Sequence, residues 1–166
     1  MKSIGFPPGS NNFRLMMIVI IVGALWVFFF NYTERISIET EKASVQQTRN
    51  IINSSLAVVF ATYAVNNQLD RLNELNGGNP FVYLAEYNLL PSAYMGETEG
   101  ADLTDIKSGW YYLKSQKKTL YKPYYDEPIQ YFSLVLEYRD INNSGRYESK
   151  IDEFGRLSFK INKEKS

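Results

Sequence analysis

Residues 15–30 read LMMIVIIVGALWVFFF, without a single charged side chain. With Phe13 at one end and Tyr32 at the other, this run covers about 30 Å as a helix at ~1.5 Å per residue, enough to cross a bilayer. A core helix is seldom apolar all round over such a length. A cleaved secretion signal would end on small residues, whereas this run ends Phe28-Phe29-Phe30-Asn31-Tyr32-Thr33. The expectation is an uncleaved transmembrane helix over residues 15–32.

The flanks predict its orientation. Lys2 and Arg14 precede the run, no Asp or Glu stands before Glu34, and Glu39 and Glu41 follow. Positive charge before the span and negative charge after it predict a single-pass protein of a bacterial inner membrane, its N-terminus cytoplasmic and its C-terminal domain periplasmic. Residues 1–14, rich in Gly, Pro, Ser and Asn, are expected to be a disordered cytoplasmic tail.

Residues 33–76 contain neither Pro nor Gly, and Gly77-Gly78-Asn79-Pro80 then interrupts the chain. One helical spine is predicted up to that interruption. Two heptad-spaced apolar rows run along it, Ile38/Val45/Ile52/Val59 and Ile51/Val58/Val65/Leu72, with Leu56, Tyr63 and Leu69 beside them. Such rows suit a coiled-coil seam. The stripe widens toward the C-terminal half, however, while Thr40, Glu41, Lys42, Gln46, Gln47 and Arg49 keep the first half polar, and this favours packing on the protein's own sheet. Val45, Ile52, Leu56, Val59 and Tyr63 are the predicted helix-packing residues.

Beyond Pro80 the rhythm becomes that of strands. A short helix is predicted over 81–90, closed by Pro91, then an acidic loop over 96–109. Aromatic strands over 110–114 and 119–122 form a hairpin, and 130–139 is the clearest strand, with Phe132, Leu134, Leu136 and Tyr138 on its core face. Residues 147–151 and 157–161 are predicted as a last hairpin, with Leu157, Phe159 and Ile161 inward. Residues 77–166 and the spine thus make one α+β domain: a long amphipathic helix, continuing from the transmembrane helix, packed on a small antiparallel β-sheet.

That layout resembles type IV pilins and the pseudopilins of type II secretion. In detail, NPFVYLAEYNLLPSAYMGE (79–97), GWYYLKS (109–115) and TLYKPYY (119–125) resemble a pilin-family pattern of Asn-Pro turn, Pro-x-x-Tyr-x-Gly segment, Trp-Tyr strand and Leu-x-Tyr strand. More narrowly, the chain resembles accessory biogenesis proteins of the MSHA (mannose-sensitive haemagglutinin) pilus. The resemblance implies other pilins, pilus-assembly membrane proteins and the lipid bilayer as partners. Pilin precursors place Gly before the Phe that opens the apolar run and Glu fifth from it. Here Asn12 precedes Phe13 and the fifth residue is Met17, while Gly5-Phe6 is followed by Pro7-Pro8. An intact N-terminus and an accessory subunit are therefore expected. A pseudopilin of a secretion system and a membrane-tethered periplasmic binding or sensor module are the alternatives. Gly23 and Ala24 are the candidate membrane contact, because small residues let helices approach closely.

Chemistry is poorly provided for. There is no His and no Cys, so imidazole bases, thiolate nucleophiles, the usual zinc ligands and disulfides are excluded. Basic and acidic residues number 18 each, and no net field draws the chain to nucleic acid. No catalytic residue and no cofactor are expected. The pairs Asp126-Glu127 and Asp152-Glu153 read as solvated turns. The metal candidate is calcium at Asp140, Asn142 and Ser144, where Asp-Ile-Asn-Asn-Ser-Gly matches the start of an oxygen-ligand loop. Its twelfth position, which should be a bidentate Glu, is Ile151, and a polar turn is the preferred reading.

Overall fold

The computed structural model describes residues 10–100 and 106–162. Its contacts divide the chain into two compact units, Met1–Ala43 and Ser44–Ser166. Helix α1, Ser10–Val65, begins in the first and ends in the second. It starts ahead of the predicted span, since no Pro or Gly stands between Ser10 and Arg14 to stop it. The predicted disordered tail is corrected there, and residues 1–9 lie outside the described residues. In the first unit the large apolar side chains from Phe13 to Phe30 are all exposed. This is one helix long and apolar enough to cross a membrane.

In the second unit, α1 stops at Val65 and the predicted spine to residue 76 is corrected. Asn67 takes a left-handed φ of 54°, a conformation Asn tolerates better than most residues. The amide of Gln68 then donates to the Tyr63 carbonyl at 2.8 Å and that of Asn67 to Ala64 at 3.2 Å, the paired bonds of a Schellman stop. A 3-10 turn, Leu69–Arg71, and the short α2, Leu72–Leu75, follow. Helix α3, Pro80–Glu86, starts on Asn79, whose side chain accepts from the Phe81 amide, with Pro80 in a first-turn position that needs no N–H. It ends on a second Schellman stop, with Asn88 at φ 56° and Leu89 N–H donating to the Leu84 carbonyl at 2.9 Å. The helix predicted over 81–90 is therefore shorter.

The five-stranded sheet has the order β1-β2-β3-β4-β5: Tyr94–Thr98, Gly109–Leu113, Lys118–Lys122, Gln130–Arg139 and Glu153–Ile161. The last three pairings are antiparallel, and β1 lies parallel to β2. Strand β1 overlaps the predicted acidic loop, of which residues 101–105 lie outside the described residues. Parallel neighbours need a return crossing, so no hairpin signal announces β1. Gly109 permits the approach: a Cβ there would lie 2.5 Å from the Ala93 carbonyl oxygen.

The last hairpin is also corrected. Residues 147–151 form no strand, because Asn73 takes both backbone groups of Tyr147, accepting from its N–H at 2.9 Å and donating to its carbonyl at 2.7 Å. Strand β5 instead pairs directly with β4, bulging between Glu137 and Tyr138 at Gly155, where an added Cβ would sit 2.8 Å from the Glu137 carbonyl oxygen. Phe159 is buried, Leu157 partly so, and Ile161 at the strand end is exposed.

Phe132, Leu134 and Leu136 of β4 face α1, and Trp110 stands at the centre of the aromatic core. Its ring lies 4.8 Å from Tyr121, 5.1 Å from Phe132 and 5.8 Å from Phe81. On the opposite face of the sheet Leu113 and Leu120 are fully buried as well. Gly100 abuts Leu113, and the Lys122 Nζ donates to the Ile106 carbonyl at 2.7 Å, so both ends of the β1–β2 return are held against that face.

Candidate assembly surfaces

Helix α1 carries two apolar surfaces, one in each unit. In the first unit the apolar residues cover every side, and none of the most apolar 18-residue window is buried. Gly23 and Ala24 are both exposed, and a Cβ added at Gly23 would meet nothing within 4 Å. Trp26 and Phe30, four residues apart, bring their rings to 5.2 Å, and Phe28 and Tyr32 to 6.3 Å. Val22, Leu25 and Phe29 complete an aromatic-walled groove along this stretch.

In the second unit the apolar residues narrow to a stripe. Val45, Ile52, Leu56 and Val59 are buried against the sheet, and Phe60 stacks on Phe154 at 4.1 Å. Tyr63 is partly buried, with the Arg71 guanidinium 5.6 Å from its ring centre. A long N-terminal helix, bare and apolar at its start and packed at its end on a mostly antiparallel sheet, is thus in place. This architecture is pilin-like. No protein-family model, curated protein or solved structure matches the chain.

The residues that carry the pilin-like pattern have identifiable mechanical roles. Besides capping α3, Asn79 donates from its Nδ2 to the Tyr94 hydroxyl at 3.0 Å and to Glu97 at 2.9 Å. Glu97 in turn pairs with Lys114 at 2.9 Å, and Phe81 stacks on Tyr94 at 4.2 Å. The Asn-Pro turn, strand β1 and the end of β2 are thereby tied together. The Lys114 hydrogen bond, assisted by that of Asn79, holds the Glu97 carboxyl below the usual carboxylate range. The same bond raises Lys114. Burial pushes the Tyr94 phenol up, and pushes Tyr83 on α3 up to about 12.

A groove without a charged side chain runs along α1, lined by Gln47, Asn50, Ile51, Ser54, Ser55 and Val58 and walled by Tyr87 and Leu89. The serine hydroxyls donate back to their own helix, Ser54 to Asn50 at 2.9 Å and Ser55 to Ile51 at 3.0 Å. Their hydrogens are therefore committed, and the floor presents small, mostly apolar contact area. Asn88 in its left-handed conformation sets the Tyr87–Leu89 wall.

The calcium candidates form a self-contained turn. Asp140 accepts the Ser144 amide at 3.1 Å through one oxygen and the Gly145 amide at 2.8 Å through the other. Asn142 accepts the Ser144 amide at 3.0 Å. A cation at this position would have to displace these backbone donors. Asp152 is similarly engaged, accepting from Ile141 at 2.9 Å and Glu148 at 2.8 Å, and Glu153 pairs with Arg139. Among the described residues no three acidic side chains gather as a metal site would require.

Sequence reasoning missed the residues that seal the domain. Asn53 accepts the Phe159 amide at 2.8 Å, capping the outer edge of β5 from the helix. Asp70 accepts the Ser149 amide at 2.7 Å and, with Asn73, fastens the 140–152 segment to the turn after α1. Asn66-Asn67 was a legible stop signal, since Asn is the residue after Gly most often found left-handed at a helix end.

Proposed function

We propose that this chain is a membrane-anchored accessory component of type IV pilus biogenesis, of the kind represented by the MSHA protein MshF, acting by protein–protein assembly without catalysis of its own. The observation that carries the reading is the division of α1 into a bare apolar stretch and a stretch clamped to a sheet. Such a chain is suited to standing in a bilayer while presenting a folded domain to neighbours. The flanking charges support a cytoplasmic N-terminus and a periplasmic sheet domain. Met17, where fibre-forming pilins carry Glu counted from the first Phe, supports an accessory role over a repeating one. Other pilins or pilus-assembly membrane proteins are the partners this reading requires.

The test is deletion of the gene with counting of surface pili: undiminished piliation would remove the role. Lost protein secretion with pili intact would assign the chain to a type II secretion system instead. Gly23→Leu, which has room in the isolated chain, is expected to leave expression and the outer fold unchanged and to lower piliation. Unchanged piliation would remove Gly23 and Ala24 as a contact. A periplasm-active reporter fused after Ser166 is expected to be active, and one fused at residue 10 inactive.

A further inference from the structure

We infer that residues 33–40 of α1 are a compliant segment, where the helix opens locally while the stretches on either side of it hold. The segment reads TERISIET. Thr33, Ile36, Ser37, Ile38 and Thr40 all rank low in helix propensity, four because a branched Cβ loses rotamer freedom against the preceding turn. No residue from 33 to 44 is buried, and Val45 is the first that is. The Thr33 and Thr40 hydroxyls each donate at 2.8 Å to the carbonyl four residues back, on Phe29 and Ile36, a bond that bends and weakens the helix ladder.

Back-bonding alone does not separate this segment from the rest, because Asn53, Ser54, Ser55 and Thr62 do the same farther along. Packing makes the difference. Ile52, Leu56 and Val59 seat that later stretch in the core, whereas residues 33–40 have no buried stripe, and most helical stability in proteins comes from such a stripe. The ion pair at the far end, Lys42 to Glu39, is 3.9 Å long with side chains 49% and 77% exposed, too wet to act as a lock. An anchored subunit thereby has a place to bend without unfolding the sheet domain.

Hydrogen exchange followed by mass spectrometry on the full chain in lipid nanodiscs tests this. Amides of residues 35–42 are expected to exchange at least roughly tenfold faster than those of 52–62, although both are helical. Equal protection would overturn the inference. Thr33→Ala, Ser37→Ala and Thr40→Ala together raise propensity and remove the back-bonds, and should slow exchange over 35–42 about tenfold while leaving 52–62 unchanged. No slowing would overturn it as well. The inference rests on the anchor reading only for the protection of residues 15–30: rapid exchange there would sink the anchor and leave the contrast between 35–42 and 52–62 to be judged by itself.

Discussion

Residues 15–30 and 45–63 belong to one helix and are both rich in Ile, Leu, Val and aromatics, yet they meet opposite surroundings. Ile18 and Leu25 are 60% and 61% exposed, whereas Ile52 and Leu56 are each 1% exposed. What separates them is the arrangement of the apolar residues and not their kind. An apolar coat on every side has no polar face to give to water and calls for an apolar solvent, while a stripe calls for one covering surface. The difference shows that the hydrophobic effect reports the area removed from water and is silent on whether lipid or protein removes it.

The sharpest way to break the comparison is to place a charge on each side of the stripe. Val59 is 7% exposed and its neighbour Val58 49%. Val59→Asp should unfold the sheet domain, because an unpaired buried carboxylate costs several kcal/mol against a total stability of roughly 5–15 kcal/mol. Val58→Asp should leave it folded. Protease resistance and circular dichroism of the two variants decide the matter, and equal damage from both would mean the stripe is misplaced.

A smaller effect sharpens the packed side. Asn53→Ala leaves the Phe159 amide without its acceptor and should lower stability by about 1–3 kcal/mol in urea unfolding, while Asn53→Asp, which keeps an oxygen there, should recover most of the loss. Where the packed stretch ends, Asn67→Ala should cost about 1 kcal/mol because its left-handed backbone disfavours a Cβ, whereas Asn67→Gly should be neutral or slightly stabilising. A Gly variant as damaged as the Ala variant would show that the Asn side chain, and not the backbone, matters.

The smallest effect is electrostatic and lies beyond the helix. The Lys114 and Asn79 hydrogen bonds depress the folded-state pKa of Glu97 below its unfolded value. Its contribution is therefore complete above the unfolded pKa of about 4.3 and is lost as pH falls through the lower folded value. Thermal unfolding of the sheet domain from about pH 5 down to about pH 3 should show a small loss of stability that Glu97→Gln reduces. The loss is small because the Glu97 side chain is 37% exposed and water screens the pair. A variant with an unchanged pH profile would remove Glu97 as the source.

Helix and strand content was largely legible because it rests on local periodicity. The alternation of Phe132, Leu134 and Leu136 named the core face of β4, and the spacing of Val45, Ile52 and Val59 named the packed face of α1. The failures were failures of partner. Residues 94–98 became a strand because β2 offered them a parallel edge, and residues 147–151 did not because Asn73 had already taken the Tyr147 backbone. The calcium motif read correctly as an arrangement of oxygen acceptors, but which donors satisfy them depends on how the turn closes, here on the amides of Ser144 and Gly145.

By itself, then, the sequence determined a charge-free helix of membrane-spanning length, a stripe on its continuation, and an α+β composition, since each follows from residue spacing within a few turns. Tertiary structure alone decided the parallel edge strand, the Asn53 cap over β5 and the fastening of residues 140–152 by Asp70 and Asn73. Those contacts join residues up to 106 positions apart. No local pattern encodes such a distance, because a backbone amide takes whichever acceptor the folded chain brings within reach and pays desolvation if none arrives.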